Sequence, residues 1–219
     1  VDCCALFSGG KDSCYAVNKA LEAGHEVKCL LTMLSVNPHS YMFHTPNARL
    51  ARVQSEASDI PLVEAKTKGE KEKELVDLEK AISKLEVDAV LCGAIASEYQ
   101  KKRVQGICDR LGLKLISPIW HSDPGLYMED LIRDFEVYIT AVAAYGLTEQ
   151  HLGRRIDKQF LDEIRVLSKK YGVHMAFEGG EAETFVTNAP FFKKRIAIEG
   201  KKVWNKDSGI FEITRAKLI

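Results

Sequence analysis

No apolar run in this sequence approaches the roughly 18 residues that a membrane-crossing helix needs, and no CxxC pair occurs anywhere in it. The first absence argues against a membrane span. The second argues against a structural zinc site or a dithiol redox centre. Net charge is missing too: Lys plus Arg and Asp plus Glu each total 31, so no bulk charge draws the chain to nucleic acid or to an anionic membrane. Val1-Asp2-Cys3-Cys4 has neither the charged nor the apolar region of a secretory signal and reads as the start of a first strand. Repeats and low-complexity stretches are absent. So are the two commonest nucleotide fingerprints, GxxxxGK[ST] and GxGxxG.

What is present is ordinary for a globular protein with a real core. The 219 residues are 46% hydrophobic and 28% charged, enough for one large domain or one domain with a small companion. The six cysteines, Cys3, Cys4, Cys14, Cys29, Cys92 and Cys108, lie in the first half, mostly within apolar segments. Buried cysteine behaves as a small hydrophobe, so they read as core residues of a protein in a reducing, cytoplasmic compartment.

The first half alternates short apolar runs with amphipathic stretches. Strands are expected at Cys3–Phe7, Val27–Leu34, Pro61–Ala65, Asp88–Cys92 and Lys114–Ser117. Helices are expected over about 11–23, 47–58 and 70–85, and on the Val104, Ile107, Cys108, Leu111 face. Apolar strands alternating with helices predict a parallel sheet covered on both faces. Ligands of such sheets bind beyond the carboxyl ends of the strands, which here carry Ser8-Gly9-Gly10, Met33-Leu34-Ser35 and Gly93-Ala94-Ile95. Composition shifts near His121–Gly125, giving a division into residues 1–124 and 125–219. The second part reads as a helix, a strand over Glu136–Val142, a helix from about Asp157 to Tyr171, a strand over Val173–Phe177, the loop Glu178-Gly179-Gly180-Glu181, and antiparallel strands turning at Lys206–Gly209.

Ser8-Gly9-Gly10-Lys11-Asp12-Ser13 lies between the first strand and the first helix. Two glycines let the backbone approach a ligand. The helix start offers free N–H groups and the positive end of its dipole to an anion. Lys11 adds a cation, and Ser8 and Ser13 add hydroxyls. The hexapeptide is similar to the signature of the PP-loop ATP pyrophosphatases. That likeness implies an adenine-nucleotide alpha-hydrolase-like α/β fold with a smaller C-terminal α+β domain. It also implies ATP bound with its pyrophosphate in this loop, and cleavage between the α and β phosphates. Mg²⁺ usually assists, with Asp12 as the natural aid to metal binding; capping of the helix is an equal alternative for Asp12.

Further segments narrow the likeness: Ser40–Thr45; Gly93–Gln100 with Arg103; Ala144-Tyr145-Gly146-Leu147; Leu152-Gly153-Arg154; and Glu178-Gly179-Gly180-Glu181 with Glu183-Thr184. Together they resemble the diphthine–ammonia ligase family, in its short archaeal-type form, over essentially the whole chain. One departure stands out: Ala182 occupies a position where the family usually has an aromatic residue, which implies altered packing with the reaction retained.

The resemblance implies the last step of diphthamide synthesis. The diphthine carboxylate on elongation factor 2 becomes an amide, ATP becomes AMP and pyrophosphate, and ammonium supplies the nitrogen. With 219 residues there is no room for a glutaminase domain, so free ammonia or a separate protein is the expected source. A homo-oligomer is compatible with the sequence. Lys11, Asp12, Glu181 and Glu183 are the expected catalytic residues. Ser8, Gly9, Gly10, Lys11, Asp12, Ser13, Met33, His44, Gly93, Ala94 and Arg103 are expected on the nucleotide. Glu98, Tyr99, Glu178, Gly179, Gly180, Glu181, Glu183 and Thr184 are expected on the substrate.

Plainer readings compete for several of these. Met33 can be a core methionine, Gly93 and Ala94 a close turn, His44 a structural histidine, Glu98 part of a solvated helix face, and the glutamates an acidic surface turn. The glutamates can hold ammonium, take its proton, or attract the trimethylammonium of diphthine, and the sequence does not divide these duties among them. Two rival functions remain: a PP-loop tRNA-modifying enzyme, against which the balanced charge and missing CxxC count, and a non-catalytic ATP-binding regulator.

Overall fold

Cys3, Cys4 and Ala5 are all buried in the first strand, β1 (Asp2–Leu6), although successive strand residues face opposite ways. The strand is therefore covered on both sides, with Cys3 and Ala5 in one core and Cys4 in another. The computed structural model, which describes residues 1–35, 48–70 and 72–219, places β1 at the centre of a five-stranded parallel sheet of order β3-β2-β1-β4-β5. The other strands are β2 (Glu26–Ser35), β3 (Leu62–Thr67), β4 (Ala89–Leu91) and β5 (Lys114–Ile116). They are linked by helices α1 (Lys11–Glu22), α2 (Ala51–Ser58), α3 (Lys73–Ile82) and α4 (Glu98–Leu111). All six cysteines are free and buried, as expected of core residues. The expected helix over 47–58 begins with a short turn at Ala48–Leu50, and Asn47 lies outside the described residues.

Helix α5 (Pro124–Asp134) begins at a proline, with the Asp123 carboxylate accepting the Leu126 N–H at 2.8 Å. An aspartate cap followed by proline at the first helical position fixes a helix start. Beyond it lies a second, antiparallel sheet of order β7-β6-β9-β8, made of β6 (Glu136–Val142), β7 (Ala182–Asn188), β8 (Ile196–Asn205) and β9 (Ser208–Leu218). Helix α6 (Lys158–Tyr171) precedes β7. One core cluster runs from Cys3, Ala5 and Leu30 through α1 and α5 to Ile139, Phe160 and Val186, so the two sheets are packed as one body.

The structure corrects one expected strand. Val173–Phe177 forms turns, and the strand lies further on, at Ala182–Asn188. Gly172 ends α6 in the left-handed region, and Phe177 is left-handed as well at φ 59°, a conformation incompatible with a strand. The Phe177 N–H returns to His174 O at 3.0 Å, closing the segment on itself.

Candidate active site

In a parallel sheet of this order, the crossovers diverge at β1 and β4, leaving a crevice beyond their carboxyl ends. Ser8-Gly9-Gly10 fills the end of β1. Gly9 has φ +78°, which favours glycine, and a Cβ there would stand 2.2 Å from Gln54 Oε1. The Gly9 carbonyl accepts hydrogen bonds from Gln54 Nε2 at 2.8 Å and from Val186 N at 3.1 Å. Gln54 Nε2 also donates to Val186 O at 2.8 Å. The loop is thus fastened from α2 and from β7. Ser13 Oγ donates to Gly10 O at 3.0 Å and accepts the Ser8 N–H at 3.3 Å.

Gly10 is the N-cap of α1 and has no side chain to give. Thr184 Oγ1, from β7, accepts the Lys11 N–H at 2.9 Å instead. On the β4 side, Gly93 approaches α1 so closely that a Cβ would be 2.7 Å from Asp12 O.

Lys11 is buried, and its ammonium lies 2.7 Å from Asp12 Oδ1 and 2.8 Å from Oδ2. The Tyr127 hydroxyl, from α5, donates to Asp12 Oδ1 at 2.8 Å. Lys11 Nζ also stands 5.6 Å from the Tyr127 ring centroid and 5.8 Å from that of Phe177, within reach of a cation–π attraction. Burial, reinforced by Asp12, holds the Tyr127 hydroxyl well above its ordinary pKa, so it remains a donor. The left-handed backbone at Phe177 is backbone strain at the residue whose ring faces Lys11.

The three glutamates are held differently. Glu181 turns back into its own loop: Oε1 accepts the His174 N–H at 2.9 Å and Oε2 the Gly179 N–H at 2.8 Å. Glu178 Oε2 accepts the Ala96 N–H at 3.2 Å, tying the loop to the β4–α4 connection. Burial, then the negative charge of Asp12, raises the Glu178 pKa. Glu183 Oε2 is buried without a hydrogen-bond partner among the described residues, and burial lifts its pKa to about 7.

These elements enclose a cleft of about 520 Å³. Of the residues expected on a ligand, Ser8, Gly10, Lys11, Asp12, Ser13, Met33, Gly93, Ala94, Glu178, Gly179, Gly180, Glu183 and Thr184 line it. Gly9 supports the loop from behind. Glu181, Glu98, Tyr99 and Arg103 are not among the lining residues. Glu181 is a loop brace, and exposed Glu98 reaches towards Lys102 at 3.9 Å. Arg103 donates to Glu72 Oε1 at 2.9 Å with its guanidinium 3.4 Å from the Tyr99 ring centroid. This bond links the start of α4 to the residue that precedes α3. His44 lies outside the described residues.

Tyr127, Phe177 and Gln54 were missed by sequence reasoning. Phe177 adjoins the Glu-Gly-Gly-Glu loop and could have been weighed with it. Tyr127 and Gln54 carry no local signal. Ala182, the departure from the family pattern, is part of the cleft wall. Among the described residues no three metal-ligating side chains cluster. Asp12, bonded to Lys11 and Tyr127, fits Mg²⁺ only in the manner usual for that ion, one or two carboxylates completed by substrate phosphates and water.

Comparison with known proteins gives consistent matches. The family model of the diphthamide synthase N-terminal domain matches residues 1–115, and that of the diphthamide synthase C-terminal domain matches residues 123–219. A diphthine–ammonia ligase of Bos taurus is 34% identical, covering 94% of this chain and 86% of its own. The Homo sapiens protein of the same name is 35% identical over 91% of this chain and 83% of its own. One from Schizosaccharomyces pombe is 33% identical over 93% of this chain but only 37% of its own length.

Proposed function

The chain belongs to the diphthamide synthase family, and we propose that it is a diphthine–ammonia ligase, forming an amide on elongation factor 2 from the diphthine carboxylate, ATP and ammonium. The substrate carboxylate attacks the α-phosphate of ATP and pyrophosphate leaves. Ammonia then attacks the acyl carbon, a C–N bond forms, and AMP departs. The observation that carries this reading is the joint in the cleft. Thr184, which caps the phosphate-loop helix, is the next residue after Glu183, so the nucleotide loop and the acidic wall are parts of one construction.

Lys11, the amides at the start of α1 and the Ser8 and Ser13 hydroxyls lie where the β- and γ-phosphates would be neutralised as pyrophosphate leaves. Met33, Gly93 and Ala94, beside them in the cleft wall, are assigned to the nucleoside. Mg²⁺, held by Asp12 and the phosphates, would stabilise the charge developing on the leaving oxygens. Tyr127 keeps the Asp12 carboxylate oriented towards that position. Glu178, Gly179 and Gly180 form the lip that receives diphthine. Residues 1–124 are the ATP-binding part and 125–219 the substrate part. Among the described residues no helix is long and apolar enough to cross a membrane, and a cytoplasmic site of action accords with a substrate factor that works on ribosomes.

The test is to incubate the protein with ATP, Mg²⁺, ammonium and diphthine-bearing elongation factor 2, following AMP, pyrophosphate and the mass of the factor. AMP and pyrophosphate formed only with the diphthine factor, with hydroxyl replaced by amide in its mass, are expected. ATP binding without AMP formation would refute the ligase reading and leave another adenylating enzyme or an ATP-binding regulator.

A further inference from the structure

The sequence left three glutamates, Glu178, Glu181 and Glu183, without separate duties. Their bonding separates them. Both Glu181 oxygens accept backbone N–H groups of its own loop. Glu178 is bound to the Ala96 N–H and stands in the field of Asp12 and Lys11. Glu183 lines the cleft, yet one of its oxygens is buried with no partner among the described residues. A buried carboxylate oxygen without a donor is costly, and a ligand that binds the same carboxylate from the cleft would offset that cost. The complement is a small cation with N–H donors.

We propose that Glu183 binds ammonium and takes its proton, releasing ammonia beside the adenylated carboxyl group. The inference rests on the ligase reading above and deepens it. In the step, one N–H bond of ammonium breaks and its proton passes to a Glu183 oxygen. The freed lone pair forms the C–N bond as the bond from acyl carbon to AMP oxygen breaks. The ammonia nitrogen gives up a further proton to solvent as the amide forms. Glu183 then returns its own proton to solvent, so the balance closes without another reactant.

Position supports the assignment. Glu183 precedes Thr184 in β7, and Thr184 Oγ1 holds the first N–H of α1, so the glutamate is fixed relative to the loop on which the nucleotide would lie. Burial is what perturbs Glu183, whereas Asp12 and Lys11 also act on Glu178. A base that titrates near neutral pH is suited to the proton transfer.

The experiment separates the half-reactions. Exchange of labelled pyrophosphate into ATP, with diphthine factor and no ammonium, reads adenylation. Amide formation from ammonium, and hydroxamate formation from hydroxylamine, read the nitrogen step. Hydroxylamine is largely neutral at neutral pH and needs no base to free its lone pair. Glu183→Gln is expected to retain exchange, to lose ammonium-dependent turnover by about 100-fold or more, and to recover with hydroxylamine. Glu183→Asp should keep part of the ammonium reaction. Equal losses with both nucleophiles, or loss of exchange in a variant that still binds ATP, would overturn the assignment. If the wild-type protein itself shows no factor-dependent exchange, the ligase reading fails and takes the assignment with it.

Discussion

The two walls of the cleft are finished to different degrees. On the phosphate side nearly every polar group already has a partner: Lys11 with Asp12, Asp12 with Tyr127, Ser8 with Ser13, Gly9 with Gln54 and Val186, and the helix start with Thr184. On the acidic side Glu178 and Glu181 hold the loop in shape, and Glu183 keeps an oxygen that nothing among the described residues satisfies. The first wall is held in shape before a ligand arrives, with its charged groups already at the loop. The second carries an unmet hydrogen-bonding demand at Glu183.

The sharpest way to break the phosphate wall is Lys11→Ala. It removes the one cation at the loop and leaves Asp12 facing the phosphates, with only Tyr127 of its present side-chain partners. Loss of a preorganised charge of this kind typically costs about 100- to 1000-fold in turnover, and pyrophosphate release should fall by that much. A variant that keeps its rate would show that the loop amides suffice.

The phosphate wall was legible in sequence because its physics is local: two glycines, a lysine and two hydroxyls within six residues between an apolar run and an amphipathic one. Parallel strands were legible for a similar reason, since a strand buried on both faces shows as an unbroken apolar run, as Cys3-Cys4-Ala5 does. What holds these parts in place was not legible. Tyr127 reaches Asp12 across 115 positions and Gln54 reaches Val186 across 132, and no spacing rule announces such contacts. The acidic segment misled for a further reason. Its neighbour Val173–Phe177 is apolar enough for a strand, but its turns and the Glu181 carboxylate satisfy backbone that a sheet would have paired. With the strand misplaced, nothing put Glu183 and Thr184 on a strand beside the phosphate loop, and their separate tasks stayed hidden. Arg103 was placed by its position near the start of a helix, and no spacing rule announced the Glu72 carboxylate that it meets 31 residues away.

The acidic wall can be sharpened through pH. Burial raises the Glu183 carboxyl from an ordinary 4.5 to about 7. Between those values the folded protein holds a proton that the unfolded chain releases, so stability declines as pH rises through this window. Glutamine does not titrate. Wild type should therefore lose up to about 3 kcal/mol relative to Glu183→Gln between pH below 4.5 and pH above 7, read as diverging Tm curves. Curves that stay parallel would show that Glu183 is solvated, and would make the two walls more alike than they look.

Gly93→Ala tests the seam where β4 meets the phosphate wall. The new methyl would lie 2.7 Å from Asp12 O and 2.8 Å from Asp12 C. Both are backbone atoms, so α1 must shift. Overpacking of this kind costs about 1–3 kcal/mol. Because the displaced residue is Asp12, ATP affinity should weaken together with Tm. A loss of Tm with unchanged ATP affinity would mean that the loop does not depend on this contact.

The smallest effect falls on the joint between the walls. Thr184→Val keeps the shape of the side chain but removes the oxygen that accepts the Lys11 N–H. Losing a helix cap costs about 1 kcal/mol, and in a protein of this size that corresponds to about 3 °C in Tm. Stability alone would not distinguish this cap from any other, so the informative readout is the Michaelis constant for ATP. If β7 merely covers α1, Tm should drop while ATP binding stays unchanged. If β7 sets the phosphate loop, the constant for ATP should rise, and Thr184→Ser, which restores the acceptor without the methyl group, should recover it. The second outcome is expected, because the neighbouring β7 residue Val186 also holds the loop through the Gly9 carbonyl, and a strand that grips the loop at both ends positions it as well as covering it.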